Sequence, residues 1–398
     1  KHFSSTYDYN SNLQSVGSPD GTTKYTYDKL NRVETVHFPD KSSLAYQYDL
    51  MGRVTQLIYP DGEIVEYHYD SRGRLKTLQD HVGVTSYEYD DLTNLVSKEI
   101  LPNGTTTEYL YDATPQVLEV SQRDPWGGLI GHFSYEYNKV GQIIRCIEKS
   151  SSSTTIKCYT YDDLGRLLRF EDDRGNFEEY SYDGAGNRLT KSTQDGTIDY
   201  RYDNKNRLIQ AGNTTYLYDS VGNLIQKNSQ KKTIEYSYDP TGTLISCSDG
   251  KTHVKFDYDG EGRRVSKTVN GETTFFINDP QSQISRVLVE KDNQGQLKKK
   301  YIYGHSRVMQ REKSSTHYFL YDQPGKNVCS LLDHHTLDQS SMQYDSFGNL
   351  PSQVSQTSYL YNGEEYDEET GLIFLRNRYY DPEIGRFISP DFILGNLK

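Results

Sequence analysis

The sequence predicts an all-β protein whose repeated hairpins spiral into a hollow β-shell. Three observations support this fold class. A tyrosine-marked phrase recurs along the whole chain at steps of about 21 residues, which is the range of structural repeats. Short turn signals alternate with that phrase. The chain has 36 tyrosines but only 34% hydrophobic residues, a composition better suited to a wall with two partly solvated faces than to a dense core.

The phrase reads Tyr-x-Tyr-Asp-x-x-Gly-Arg followed by an aliphatic residue. It is clearest at residues 46–54, which return almost unchanged at residues 67–75. Side chains alternate along a strand, so Tyr-x-Tyr places both rings on one face. The phrase and its variants hold every tyrosine except four: Tyr59, Tyr366, Tyr379 and Tyr380.

Each repeat predicts two strands joined by a turn. After Tyr-x-Tyr, the aspartate can accept hydrogen bonds from the backbone that follows it, and the glycine supplies a left-handed position. The arginine and aliphatic residue begin the return strand. A second turn ends the repeat, at Pro60-Asp61-Gly62 or Pro102-Asn103-Gly104 for example. Repeat aspartates and arginines such as Asp49 and Arg53 are therefore expected to form turns and pair between strands.

The number of strands then limits the architecture. About seventeen units give about 34 strands, and a flat sheet of that size would be about 160 Å wide. Open twisted sheets rarely exceed about ten strands without curling. A propeller requires repeats of about 40 residues, and a filled solenoid requires an aliphatic core. The prediction is therefore a sheet that coils into a shell.

Composition also excludes several functions. The net charge of −12 argues against a general nucleic-acid partner, because such proteins usually carry a basic surface. The sequence has no apolar run of membrane-spanning length. His334-His335 lacks metal-ligand spacing, and no phosphate loop is present, so no metal or cofactor is expected. The cysteines are expected to be free thiols, although Cys146 and Cys158 flank one hairpin and could pair.

The repeats resemble those of Rhs/YD-repeat proteins, which include polymorphic toxin shells and the C component of insecticidal toxin complexes. The resemblance covers essentially the whole chain. It is sharpest in EEYDEETGLIFLRNRYYDPEIGRFISPD, residues 364–391, which is similar to the Rhs-associated core motif. The resemblance implies a YD-repeat β-shell over residues 1–300. It also implies a core segment over residues 301–398 that closes the shell.

The same resemblance implies a function and a site. In this family the shell encloses and shields a C-terminal toxin, released by intramolecular aspartyl autoproteolysis. The expected partners are that toxin domain, which is not present in this chain, and a secretion or delivery component, and the expected location is secreted or at the cell surface. Asp391 follows the Gly-Arg-Phe motif where the family has a catalytic aspartate, although the usual Asp-Pro is Asp391-Phe392 here. The carboxylate partner lies beyond residue 398 or is Asp381.

Plainer interpretations stand beside these. Asp381 precedes a proline and is typical of a turn, while Arg386 and Arg378 could hold a carboxylate or simply pair inside the closing segment. The acidic run 367–369 is expected in a solvated loop. The tyrosine rows could bind sugars, although packing in the wall is the stronger expectation. The alternative function is a surface adhesion or carbohydrate-binding module without catalysis, as in teneurins. Without a cleavage junction, this stretch is at most an inactive part of a protease.

Overall fold

The computed structural model describes residues 4–18, 21–282, 284–350 and 356–391. It contains 33 strands in one antiparallel sheet and four in a second sheet. The first strands are β1 (Ser4–Tyr7), β2 (Leu13–Ser18), β3 (Gly21–Tyr27), β4 (Val33–His37), β5 (Ser43–Tyr48), β6 (Val54–Ile58), β7 (Ile64–Tyr69), β8 (Leu75–Gln79), β9 (Val84–Tyr89), β10 (Val96–Ile100), β11 (Thr106–Tyr111) and β12 (Val117–Arg123).

The large sheet continues to residue 341. Its next strands are β13 (Leu129–Tyr137), β14 (Ile143–Lys149), β15 (Thr154–Tyr161), β16 (Leu167–Asp172), β17 (Phe177–Tyr182), β18 (Arg188–Thr193), β19 (Gly196–Tyr202), β20 (Leu208–Ala211), β21 (Thr214–Tyr218) and β22 (Leu224–Asn228). Its last are β23 (Thr233–Tyr238), β24 (Leu244–Ser248), β25 (His253–Tyr258), β26 (Arg264–Val269), β27 (Glu272–Asn278), β28 (Val287–Lys291), β29 (Leu297–Tyr303), β30 (Arg307–Arg311), β31 (Thr316–Tyr321), β32 (Val328–Asp333) and β33 (Gln339–Ser341).

The second sheet, called the C-terminal sheet below, follows a single 3-10 turn at Tyr361–Gly363. It comprises β34 (Glu365–Asp367), β35 (Leu372–Leu375), β36 (Arg378–Asp381) and β37 (Arg386–Phe387). Strand β29 crosses residue 300, and the large sheet continues beyond it. The division of the chain at residue 300 stays a prediction.

The Asp-x-x-Gly turns have the geometry that the sequence predicts. At the turn after β5, Asp49 Oδ1 accepts the backbone N–H groups of Met51 and Arg53, both at 2.9 Å. Gly52 has φ of 81°, a left-handed value that favours glycine. Arg53 Nε donates to Asp49 Oδ2 at 2.7 Å. These hydrogen bonds from Arg53 hold the pKa of Asp49 below its usual value.

A tyrosine latch joins most units to the one before them. The hydroxyl of Tyr69 donates to the carbonyl oxygen of Val54 at 2.8 Å. The same bond recurs from Tyr27 to Leu13 through to Tyr344 and Val328, at 2.5–2.9 Å. The Arg53 guanidinium lies 4.4 Å from the centre of the Tyr69 ring, a cation–π contact that also joins neighbouring units.

A register shift occurs at the latch tyrosines that lie in strands of the large sheet. It lies between Gln47 and Tyr48 in one unit and between His68 and Tyr69 in the next. Such bulges increase the local right-handed twist of a sheet, and twist of one hand accumulates along successive strands. A bulge in every unit therefore makes the sheet coil.

The coiled sheet returns onto itself, with β27–β32 lying against strands from β4 to β13. The Tyr46 hydroxyl donates to Asp279 Oδ1 at 2.9 Å across 233 residues of sequence. That of Tyr59 donates to the carbonyl oxygen of Tyr301 at 2.8 Å across 242 residues. Cations of the later strands pair with acids of the earlier turns: Lys291 with Asp40, Lys300 with Asp61 and Glu63, and Arg311 with Glu63 and Asp80.

These contacts confirm the predicted spiral β-shell. Within the described residues, β1 pairs with β2 and β33 with β32, and the two end strands do not pair with each other. The spiral is therefore open. The first tyrosine of a unit, such as Tyr46 or Tyr236, is commonly buried, and the second is latched, so the tyrosine rows pack within the wall.

The cysteines are free thiols. Cys146 pairs with Lys157 in the register, and Cys158 pairs with Arg145. Directly opposed residues share a face, so Cys146 and Cys158 lie on opposite faces of the hairpin. Burial raises the pKa of the Cys247 thiol to about 12.

Loss of one latch should loosen its own unit. We expect Tyr69→Phe to lower the free energy of unfolding by about 1 kcal/mol, because it leaves the Val54 carbonyl without its donor. Hydrogen–deuterium exchange of β6–β8 and urea unfolding measure this. The control is Tyr9→Phe, because Tyr9 is fully exposed. Equal exchange in the two variants would contradict a stabilising latch.

Candidate functional site in the C-terminal sheet

The C-terminal sheet covers the face of β19–β26 that carries the buried first aromatic residue of each unit, called the inward face below. Leu372, Phe374 and Tyr379 are buried there. They share a hydrophobic cluster with residues of the large sheet: Tyr200, Leu208, Tyr216, Leu224, Tyr236, Leu244, Val254 and Phe256. The backbone N–H of Leu224 also donates to the carbonyl oxygen of Ile388 at 2.8 Å. Residues 364–391, called the plug below, are thus both packed and hydrogen-bonded onto the coiled sheet.

A buried ion cluster anchors this plug. Arg264 of β26 is 2% exposed and bonds Asp367 Oδ2 through Nη1 at 2.6 Å, while its Nη2 pairs with Glu365. Lys267 Nζ lies 3.0 Å from Asp367 Oδ1 and 3.1 Å from Glu369 Oε2. The expectation of a solvated acidic loop at residues 367–369 is wrong for Asp367, which is fully buried because two cations compensate its charge.

The two carboxyl groups on Arg264 have different pKa values. Burial would raise the pKa of Asp367, but the charges of Arg264 and Lys267 hold it below its usual value. Burial raises the pKa of Glu365 despite the attraction of Arg264. One guanidinium therefore holds one strongly ionised carboxylate and one that is more easily protonated.

The position of Arg264 in its repeat explains how it reaches the plug. Tyr258 opposes Arg264 in the register, just as Tyr48 opposes Val54. Arg264 therefore occupies the inward position that is aliphatic in most units.

Two more arginines take the same inward position: Arg188, opposite Tyr182, and Arg307, opposite Tyr303. Arg307 donates to the Gly363 carbonyl oxygen at 3.1 Å and lies 3.2 Å from the Tyr359 ring centre. The sequence analysis did not predict a role for these three arginines. An arginine at a repeat position that is otherwise aliphatic would have indicated one.

The predicted site residue Asp381 lies buried in β36. Its Oδ2 pairs with Lys227 Nζ at 2.8 Å. Its Oδ1 accepts the Glu383 N–H at 3.0 Å, and its carbonyl oxygen accepts the Gly385 N–H at 2.9 Å. The two hydrogen bonds from backbone N–H groups form a turn after Asp381, which is the structural role that the sequence predicts for an Asp-Pro pair.

Asp391 lies at the end of the described chain and is exposed. Its Oδ2 lies 3.1 Å from Arg378 Nη2, and Arg378 in turn stacks 3.7 Å from the centre of the Phe387 ring. The structure thus brings Asp391 to Arg378 and Asp381 to Lys227, and each aspartate has a cation of its own. Phe392, which replaces the proline expected after Asp391, lies outside the described residues.

Arg386, the third predicted site residue, contacts neutral groups. It donates to Asn187 Oδ1 at 3.2 Å and to the Asn206 carbonyl oxygen at 2.9 Å. It also lies 5.1 Å from the centre of the Tyr202 ring. Arg386 thereby ties the plug to β17–β20.

In the described parts of the chain, no group of three or more His, Cys, Asp or Glu is placed to hold a metal ion. Among the same residues, no helix has the length and apolarity needed to cross a membrane.

Comparison with known families identifies the chain. The Teneurin YD-shell family matches residues 127–397, and the RHS Repeat family matches residues 7–43 and 69–106. The first match covers more than half of the chain.

The chain belongs to the teneurin YD-shell family.

Relatives in bacteria and animals are consistent with this membership. The tRNA nuclease WapA of Bacillus subtilis is 29% identical over 324 residues, which are 79% of this chain and 14% of that protein. Teneurin-3 of Mus musculus is 26% identical over 76% of this chain and 11% of its own length. The YD-shell chain therefore spans only a small part of these relatives.

A solved structure confirms the fold class. The Tc holotoxin pore of Photorhabdus luminescens superposes with a TM-score of 0.75 at 18% identity, covering 95% of this chain and 21% of that one. The matches to the two family models confirm the resemblance to Rhs/YD-repeat proteins, and this structure confirms the coiled β-shell that the resemblance implied.

Breaking the ion cluster should loosen the plug. We expect Asp367→Asn to lower the free energy of unfolding by about 3–5 kcal/mol, because it removes the buried carboxylate that Arg264 and Lys267 share. Urea unfolding and limited proteolysis of residues 365–387 measure this. The control is Glu368→Gln, since Glu368 is exposed. Equal stability of both variants would contradict an anchoring role.

The destabilisation caused by Asp367→Asn should also depend on pH. The pKa of Asp367 is lowered from its ordinary 3.8 in the folded protein. Its contribution to stability is therefore complete above about pH 4 and is lost as pH falls through the lower folded-state value. We expect the stability difference between wild type and Asp367→Asn to shrink over that acid range. A difference that grows on acidification would contradict the assignment.

Proposed function

We propose that this YD shell encloses and shields a toxin domain that follows it in the full-length protein, and that the toxin is released by intramolecular aspartyl proteolysis. The observation that carries the proposal is the plug. The family signature packs on the inward face of β19–β26 and is held there by buried charges. A chain that continued from such a plug would start against the inward face of β19–β26.

The relatives support a full-length protein in which the shell and the toxic activity are in different domains. The Bacillus subtilis relative is named as a tRNA nuclease, and this chain matches 14% of it. A spiral of tyrosine hairpins offers a container, while nuclease chemistry belongs to a separate domain. We propose that the toxic activity lies outside this stretch, and that the full-length protein is secreted or displayed at the cell surface through a delivery component.

The proposed cleavage uses two carboxyl groups. One carboxylate takes a proton from water as the water attacks the scissile carbonyl, and the other, protonated, gives its proton to the leaving amide nitrogen. Asp391 is the proposed first member, and Arg378 at 3.1 Å would orient it. Asp381 is tied to Lys227 and to its turn, which favours a partner carboxylate beyond the described chain.

Surface adhesion without catalysis is the second candidate. The observation that favours it is the 26% identity with Teneurin-3 of Mus musculus. In that case the plug has a structural role alone, and Asp391 with Arg378 is an ordinary surface ion pair.

Substitution of Asp391 separates the two candidates. In the full-length protein we expect Asp391→Asn to abolish self-cleavage while circular dichroism stays β-rich. Gel electrophoresis with terminal sequencing of the fragments measures cleavage. The matched control is Asp163→Asn at an exposed turn position, which should cleave normally. Cleavage of Asp391→Asn at the wild-type rate would remove Asp391 from the mechanism, and an uncleaved wild-type protein would favour adhesion.

A further inference from the structure

Arg188 differs from the other two inward arginines, because in the described chain after the large sheet it contacts the ring of Phe347 rather than an oxygen acceptor. Its side chain is 7% exposed and lies 4.0 Å from the centre of the Phe347 ring and 4.8 Å from that of Tyr180. Over the described ranges, Arg188 forms no ion pair within 4.0 Å, and the carboxylates of Glu178 and Asp345 pair with Lys191 instead. Removing a charge from water costs several kcal/mol unless an opposite charge compensates it. An anionic ligand beside Arg188 would provide that compensation.

The same repeat position shows what such an arginine normally contacts. Arg264 holds Glu365 and Asp367, and Arg307 donates to the Gly363 carbonyl oxygen. Each of these two guanidinium groups bonds an acceptor in the residues that follow the large sheet. Arg188 faces that part of the chain too, but there it contacts the ring of Phe347.

Arg188 lines a cleft that lacks acidic side chains. The cleft has a volume of about 450 Å³, which is within the range of small-molecule sites. Three arginines lie on its wall, with no Asp or Glu: Arg166, Arg188 and Arg386. Arg166 is neutralised by Asp162 at 2.6 Å. Arg386 bonds neutral oxygens, so two uncompensated guanidinium groups remain in a chain of net charge −12.

The plug completes the cleft at Gly385. A Cβ placed on Gly385 would lie 2.7 Å from Arg188 Nη2 and 2.9 Å from the Phe347 ring. The backbone therefore approaches the guanidinium as closely as glycine allows. The φ of 67° at Gly385 also favours glycine. The cleft is thus built jointly by the large sheet and the residues after it.

We propose that this cleft is a binding site for a small oxyanion, a carboxylate or a phosphate group, held by Arg188 and Arg386. Guanidinium groups present forked N–H donors that match both groups in pairs. Partial exclusion of water would strengthen the attraction. The tyrosine rings at the wall would pack against the body of the molecule that carries the anion. The proposal is independent of self-cleavage and of any toxin.

Thermal unfolding of the full 398-residue chain with added anions tests the site. Sodium phosphate is titrated in one arm and sodium acetate in the other, with sodium chloride keeping ionic strength constant. We expect a saturable rise in Tm in at least one arm, and the responding arm distinguishes phosphate from carboxylate. Absence of a saturable rise in both arms would overturn the proposal.

Arginine variants locate the effect. Arg188→Met should lower the apparent anion affinity at least tenfold, whereas Arg201→Met, at an exposed position of β19, should respond like wild type. Arg386→Gln should weaken binding while leaving Arg188 in place, and it decides the question if Arg188→Met does not fold. Wild-type affinity in the Arg188→Met protein, or in Arg386→Gln when the first variant is unfolded, would refute the site.

Discussion

The tyrosine latch is the contact on which the rest of the shell depends. A hairpin of two short strands is marginally stable by itself in water, and each unit here has few aliphatic residues. The hydroxyl of Tyr69 reaches past its own unit to the carbonyl of Val54, and Arg53 covers the ring that carries it. Most hairpins are thus fastened to their predecessors by hydrogen bonds from an amphipathic side chain, in addition to the packing of the buried hydrophobic clusters.

One repeat position serves both the latch and the inward arginines. Its carbonyl oxygen accepts the latch hydrogen bond, as at Val54, and its side chain lies on the inward face. Most units fill the inward position after the turn with an aliphatic residue, and the wall stays apolar there. Arg188, Arg264 and Arg307 replace it with a long cation that extends from the wall. Arg264 and Arg307 bond the chain that follows the large sheet. The wall therefore carries, within a uniform repeat, the positions that hold the plug.

Much of this was readable from the sequence because it is local. Tyr-x-Tyr followed by Asp-x-x-Gly specifies a strand, a turn and a return strand within a dozen residues, and 33 strands in sequence order follow from repetition. Contacts between turns of the spiral could not be predicted, since the pairing of Lys300 with Asp61 and Glu63 depends on twist summed over many strands. The burial of Asp367 was missed for the same reason, because its cations lie about 100 residues earlier in the chain.

The regular bulge has a consequence for how such chains can change length. Each unit rotates the next by a similar amount, so inserting or deleting one hairpin between β13 and β27 would turn everything downstream. Tyr46 would then no longer face Asp279, which follows β27. Gene duplication in this stretch is therefore tolerated most easily in blocks that complete a revolution.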